Sequence, residues 1–175
     1  FEVAASERKR RVSIGGLELV LKIDRVDILA DGRHVIVDYK TGRPEPSGWE
    51  GERPDAPQLP LYAATHGAPI AAVAFAQLTP GELQFKGLGE SAGIPGVREY
   101  SQSKPGKAAG DTLAGHIRGW RETVARLARE FADGVATVTP KSEKVCAHCA
   151  LPALCRIGDL PRRMEEESGE EEANG

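Results

Sequence analysis

The 175-residue sequence lacks any apolar run near the roughly 18 residues that a membrane-spanning helix needs. It also lacks a signal peptide, since the opening FEVAASERKRRV has neither an apolar core nor a small-residue cleavage site. Hydrophobic residues make up 40% and charged residues 28% of the chain, which is typical of a globular protein. The length predicts one domain, and Phe1 in place of an initiator methionine indicates a piece of a longer protein.

Cysteine is scarce, and its placement argues against a disulfide framework. Cys146, Cys149 and Cys155 are the three cysteines of the chain and lie within one ten-residue segment. An odd, clustered set favours metal binding in a reducing compartment, so we predict a cytoplasmic location. The C-x2-C-x5-C spacing suits zinc or an iron–sulfur cluster, either of which normally needs a fourth ligand. His148 is a candidate ligand for zinc, although its position between two cysteines gives poor chelate geometry, and three buried cysteines without metal are the plain alternative.

The formal net charge of −3 hides an acidic C-terminus. Residues 165–175 contain six glutamates and no lysine or arginine, which predicts a solvated, flexible tail. We therefore predict a domain at 1–160 that includes a cysteine loop at 140–157, followed by a tail at 161–175. The rest of the chain is slightly basic, a balance that tolerates a polyanionic partner without demonstrating one.

Apolar residues among polar ones predict strands at 18–29 and 34–42. The intervening residues 30–33 contain an Asp-Gly pair, which favours an antiparallel hairpin. A second hairpin is predicted at 70–78 and 82–88, with Thr-Pro-Gly between its strands.

Two helices are predicted, a short one at 58–67 and a long one at 111–134. The long helix has Asp111 as its predicted N-cap and Gly134 just beyond its end. The remaining segments, 43–57 and 89–110, are predicted to be solvated irregular loops. They carry Trp49, Lys104 and Lys107.

Charged residues that can carry chemistry are concentrated in the first hairpin. Asp38 and Lys40 project to one face of their strand because side chains alternate, and antiparallel pairing brings Asp24 beside them. Two converging carboxylates repel each other unless a cation neutralises them, which favours a hard divalent ion, Mg²⁺ or Mn²⁺. Lys40 then neighbours the cation and stabilises charge on a phosphoryl oxygen.

Other side chains fit the same pocket. Gln58 and Tyr62 lie at positions i and i+4 of the predicted helix, hence on one face, and Glu7 is a candidate for a further carboxylate ligand. The plain alternative is that the charges of the hairpin merely face solvent, since a short D-x-K pattern often arises by chance.

Three motifs together resemble the RecB-type nuclease domains of the PD-(D/E)XK superfamily. In chain order they are IDRVD (23–27), VDYKTG (37–42) and QLPLY (58–62). The resemblance extends over about residues 1 to 157. It implies a restriction-endonuclease-like α/β fold, with a mixed central sheet flanked by helices.

The resemblance also implies residue roles. Asp24 and Asp38 would be metal-binding acids, the carbonyl of Tyr39 a further ligand, and Lys40 the catalytic lysine.

Gln58 and Tyr62 match the glutamine-tyrosine helix motif of the family. Glu7 matches the acid of a preceding helix, with Glu2 as its substitute. The chain departs from the family at Leu21, where a glycine is usual, a change that removes no ligand.

The implied activity is Mg²⁺-dependent DNA hydrolysis by an exonuclease in repair or recombination. The implied partners are DNA and a helicase subunit or a helicase-like region of the same chain, with no membrane. AddB-like proteins share the cysteine spacing and have a fourth cysteine far upstream, which implies an iron–sulfur cluster in the full-length protein that these 175 residues cannot complete. Two alternatives stay open: a non-catalytic DNA-binding or scaffolding module that keeps the fold, and a zinc-binding interaction domain.

Overall fold

The computed structural model describes residues 1–91, 93–103, 106, 112–147 and 149–156, without the side chains of residues 8 and 143. The chain divides into two compact units, residues 1–135 and 136–175. Five of the sequence predictions, those for Lys104, Lys107, Asp111, His148 and the acidic tail at 161–175, concern residues outside the described ones.

One mixed sheet organises the first unit, and its six strands in the described residues lie side by side in chain order. The β2–β3 and β4–β5 pairs are antiparallel, which confirms both predicted hairpins, and β1 pairs antiparallel with β2. The β3–β4 and β5–β6 pairs are parallel. The strands are β1 (Glu2–Ile14), β2 (Leu17–Ile28), β3 (His34–Lys40), β4 (Ile70–Thr79), β5 (Glu82–Gly89) and β6 (Val97–Glu99).

The first strand, β1, corrects an expectation. The family resemblance implies a helix around Glu7, but residues Glu2–Ile14 form a strand. β1 is an edge strand of the described sheet, and Val12 and Ile14 are the buried residues among its described side chains, so its sequence shows no apolar alternation over most of its length. Glu7 has a positive φ of 51°, which is unusual for a residue with a side chain.

Two helices pack on one face of this sheet, and they confirm the two predictions from periodicity. They are α1 (Gln58–Thr65) and α2 (Leu113–Ala132). The predicted N-cap Asp111 is wrong, because Thr112 caps α2 by accepting the N–H of Gly115 on its Oγ1 at 3.1 Å. Gly134 follows the helix with φ 70°, as predicted for a residue just beyond a helix end.

The described part of the second unit contains two single-turn helices, α3 (Glu143–Cys146) and α4 (Pro152–Cys155). None of the helices in the described residues is both long and apolar enough to cross a bilayer.

Trp49 is buried rather than solvated, which corrects the loop prediction for this residue. The chain forms a 3-10 turn at Pro46–Trp49, and the indole packs against Phe75 of β4 and Trp120 of α2, with ring centroids 4.9 and 5.8 Å away. An aromatic side chain of this size buries a large apolar area, so Trp49 anchors the loop to the core. The loop at 43–57 is therefore held to the core at Trp49.

The turn between β1 and β2 packs closely on α2. Gly15 has φ 56°, and a Cβ at this position would meet the carbonyl oxygen of Ala125 and lie 2.7 Å from the Cβ of Ala128. Gly16 has φ 87° but no atom within 4 Å of a Cβ. Both glycines have a positive φ that disfavours other residues, but only Gly15 also lacks room for a side chain.

We expect Gly16→Ala to lower the free energy of unfolding by about 1 kcal/mol, because alanine is strained at positive φ. Gly15→Ala should cost about 2 kcal/mol more, since α2 must also shift away from the added methyl group. Urea unfolding followed by circular dichroism measures both. Equal losses would show that the turn does not press on α2.

Candidate active site

The site begins with the side-chain alternation of β3. Ile36 packs in the core beneath α1, whereas Val35 and Val37 belong to the cluster on the opposite face. Asp38 and Lys40, two and four residues after Ile36, therefore point to the α1 side. Asp38 is fully buried and Lys40 is partly exposed.

Asp24 lies where β2 leaves β3. The antiparallel pairs run from Ile28↔His34 to Arg25↔Val37, and the same register places Asp24 opposite Asp38. β2 pairs with β1 along nearly its whole length, so on the N-terminal side of Asp24 only the β1 pairing continues in the described sheet. The Oδ2 atom of Asp24 accepts the backbone N–H of Tyr39 at 3.0 Å, which closes the end of the ladder.

A relay of polar contacts connects β3, α1 and β2. Lys40 Nζ lies 2.6 Å from Asp38 Oδ2 and donates to Gln58 Oε1 at 2.8 Å. Gln58 Nε2 donates to the Tyr62 hydroxyl at 2.7 Å, and this hydroxyl donates to the backbone carbonyl of Lys22 at 2.6 Å. The i, i+4 pair of α1 therefore holds the lysine in place and ties the helix to β2.

The electrostatics centre on Asp38. Burial raises the pKa of its carboxyl group, the nearby Asp24 carboxylate raises it further, and Lys40 opposes the rise. Among the described residues, Asp38 Oδ1 is buried without a hydrogen-bond partner. Burial also raises the pKa of Tyr62, which keeps its hydroxyl protonated and able to donate at neutral pH.

Asp24 and Asp38 fit a hard divalent cation. Mg²⁺ commonly takes one or two protein carboxylates and completes its shell with water and substrate oxygens. The unpartnered Oδ1 of Asp38 is a lone-pair donor that such a cation would satisfy. The role of the Tyr39 carbonyl as a further ligand stays a prediction.

The predicted acids on β1 do not join the two aspartates. The Glu7 carboxylate, three-quarters exposed, lies 3.2 Å from Lys22 Nζ. Glu2 pairs in register with Ile28, at the opposite end of the β2–β3 ladder from Asp24. Within the described ranges, no three His, Cys, Asp or Glu side chains form a group that could hold a metal ion.

The last acid of the IDRVD motif, Asp27, has a different task. Its two carboxylate oxygens accept from Arg25 Nε and Nη2 at 2.7 and 2.9 Å. This bidentate pair also raises the pKa of Arg25. Asp27 is therefore satisfied by an arginine rather than left for a cation.

A cleft of about 560 Å³ opens beside Lys40 and the start of α1. Lys40, Gln58 and Tyr62 line it together with Lys22 and Phe75. The cleft gives a substrate access to Lys40 and to the Gln58 and Tyr62 side chains of α1.

Sequence reasoning missed Gln77. This residue lies on β4 in register with Lys40, is fully buried, and donates from Nε2 to Glu82 Oε2 at 3.0 Å. The available signal was one amide among eight apolar residues in IAAVAFAQL. A lone polar residue in a buried strand normally has a specific partner.

The cysteines lie in the second unit. Cys146 ends α3, Cys155 ends α4, and all three thiols are free. Cys149 is exposed and the other two are partly buried. They do not form a three-ligand group in the described residues, so the iron–sulfur cluster stays a prediction from the sequence.

Comparison with known proteins gives a family. Residues 1–156 match the PD-(D/E)XK nuclease superfamily. No curated protein matches the chain. Among solved structures, the chain is similar to one titled "Crystal structure of SSO0001", with 16% sequence identity and a TM-score of 0.45. The similarity covers 90% of this chain and 62% of that one, so the chain spans less than two thirds of its length.

We expect Asp38→Asn to raise the melting temperature in excess chelator at pH 7–8. The raised pKa means that ionised Asp38 destabilises the folded state above the ordinary carboxyl range, and an amide removes that charge. The gain should shrink as the pH falls, because the wild-type carboxyl group then becomes protonated. Adding Mg²⁺ should raise the melting temperature of the wild type and leave the variant unchanged.

Asp31→Asn is the matched control for this melting experiment. Asp31 pairs with Arg33 on the exposed β2–β3 turn, and the arginine lowers its pKa. Its loss should not raise the melting temperature in chelator. A similar gain in both variants would contradict the cost that we assign to buried Asp38.

Proposed function

Since the chain belongs to the PD-(D/E)XK nuclease superfamily, we propose that it hydrolyses phosphodiester bonds of DNA with Mg²⁺ or Mn²⁺ held by Asp24 and Asp38. The observation that carries this proposal is the fully buried Asp38 carboxylate, whose Oδ1 has no partner in the described residues although Asp24 lies beside it. A purely structural carboxylate at this position would be expected to have both oxygens hydrogen-bonded.

A bound divalent cation supplies a more acidic water and neutralises charge on phosphoryl oxygens. Lys40 supplies the protein's own positive charge at the site. Its ammonium group is held by Asp38 and Gln58, so it can donate to an oxygen of the reacting phosphate without first reorganising. Tyr62 orients Gln58 and thereby the lysine.

The finer parts of the proposal rest on the motifs. The order IDRVD, VDYKTG, QLPLY and the three cysteines support a RecB- or AddB-like protein of DNA repair or recombination, with an exonuclease activity. A helicase subunit, or a helicase-like region of the same chain, is the partner that fits this reading.

We expect Mg²⁺-dependent degradation of linear DNA, little attack on covalently closed circles, and complete loss of cleavage in excess chelator. Asp38→Ala should remove nearly all activity because it removes a ligand, while circular dichroism shows an unchanged fold. Wild-type rates in the variant or in chelator would contradict metal-dependent hydrolysis. Equal cleavage of circles would contradict the exonuclease assignment alone.

Lys40→Ala should lower the single-turnover rate by about 10²–10⁴-fold, the scale of losing one proton-transfer or oxyanion contact. Mg²⁺ affinity, measured by calorimetry, should stay within a small factor, since the ammonium group is no ligand. Gln58→Leu should give a smaller fall, because it loosens Lys40 without removing it. Loss of Mg²⁺ binding together with activity would make Lys40 a structural partner of the aspartates.

A further inference from the structure

The chain that leaves the site after Lys40 is clamped to β4. Thr79 Oγ1 donates to the backbone carbonyls of Thr41 and Gly42, at 3.3 and 3.0 Å. Thr79 lies at the end of β4, two residues after Gln77, the register partner of Lys40. Because β3 and β4 are parallel, their ends meet at one edge of the sheet, and the clamp fixes the direction in which the next residue, Arg43, leaves that edge.

The guanidinium group of Arg43 is held by a second chain of contacts that also begins beside Lys40. Buried Gln77 donates to Glu82 Oε2 at 3.0 Å, and Arg43 Nη2 donates to Glu82 Oε1 at 2.9 Å. Glu82 pairs with Thr79 in the β4–β5 ladder. Gln77, Thr79 and Glu82 therefore share the face of the sheet on which Lys40 lies.

Stability does not account for the Arg43–Glu82 ion pair. The Arg43 side chain is 72% exposed and that of Glu82 is 41% exposed. Ion pairs this exposed contribute little to folding. A guanidinium group has five N–H donors in a planar fork that matches phosphate oxygens, and Glu82 engages one of its nitrogens.

The position of Arg43 relative to the site suits a neighbouring phosphate. Three residues of extended chain span at most about 10 Å, so the Arg43 backbone lies within about that distance of Lys40. Phosphates along one strand of a duplex advance by roughly 3.4 Å each. A strand whose reacting phosphate lies at Lys40 and that runs toward Arg43 would therefore bring its next phosphates within reach of Arg43.

We propose that Arg43 binds a backbone phosphate within about three nucleotides of the bond that is cut, with Gln77 and Glu82 as positioning residues. This inference rests on the proposed function, because it takes a nucleic acid strand as the occupant of the cleft. Because Arg43 would contact a phosphate charge rather than a base, it would add affinity and help to position the strand without any preference for sequence.

The test combines Arg43→Ala with DNA in which one phosphate is replaced by a neutral methylphosphonate. Binding is measured by fluorescence anisotropy in Ca²⁺, in an Asp38→Ala background, so that cleavage plays no part. On unmodified DNA, Arg43→Ala should weaken binding about tenfold and lower the slope of log affinity against log salt by about 0.7–0.9. Arg43→Lys should keep the salt slope and recover part of the affinity.

On DNA that is neutral at the contacted phosphate, the Arg43→Ala effect should fall below twofold, whereas neutral linkages elsewhere should leave it at about tenfold. Arg33→Ala is the matched control, since Arg33 also forms an exposed ion pair, with Asp31, but at the far end of β3. It should change neither affinity nor slope.

An equal Arg43→Ala effect on every substrate, or none at all, would overturn the phosphate contact. Failure of the wild-type chain to cleave unmodified DNA in Mg²⁺ would overturn the proposed function instead. The two failures are read from separate measurements.

Discussion

A carboxylate in the centre of a sheet is tolerated only where its surroundings compensate for the lost water, and Asp38 is in this position. Its ion-pair partner is Lys40, at 2.6 Å. The lysine depends in turn on Gln58, and Gln58 on Tyr62, whose hydroxyl ends on the backbone of β2. The contacts that hold the start of α1 in place thus belong to the same chain of hydrogen bonds that compensates the buried Asp38 charge.

The second requirement is that β2 separate from β3 at the correct residue. If the ladder continued past Arg25↔Val37, backbone pairing would close the space beside Asp24 and Asp38. The end of the β2–β3 pairing leaves this space open, and the Asp24 bond to the Tyr39 N–H satisfies the donor that is exposed there. The same contact that ends the sheet pairing therefore positions one of the two acids.

Elements whose sequence signals lie within a few neighbouring residues could be predicted. The Asp-Gly turn, α1 and α2 each depend on residues within a few positions. β1 could not be predicted, since an edge strand buries few side chains and takes its pairing from β2. Trp49 was likewise unpredictable, because its partners Phe75 and Trp120 are 26 and 71 positions away.

The candidate site divides in the same way. Alternation placed Asp38 and Lys40 on one face, and helical spacing placed Gln58 beside Tyr62, but only the family pattern gave the candidate ligand Glu7 a defined place, on a preceding helix. That pattern assumed a helix before β2, whereas Glu7 lies on β1 and pairs with Lys22. Because residues Glu2–Ile14 form a strand rather than that helix, the implied helix is wrong and the ligand role of Glu7 stays a prediction.

The number of available ligands has a consequence for how metal and substrate would bind. Asp38 has one oxygen engaged by Lys40 and Asp24 has one engaged by Tyr39 N–H, so each carboxylate can offer a cation at most one further oxygen. A cation on these two atoms must fill the rest of its shell with water and with phosphate oxygens. Each binding event then strengthens the other by the same factor, since coupling between two ligands is reciprocal. On the proposed function, metal binding without DNA would therefore be weak, and the buried charge of Asp38 would be fully neutralised only when both ligands are present.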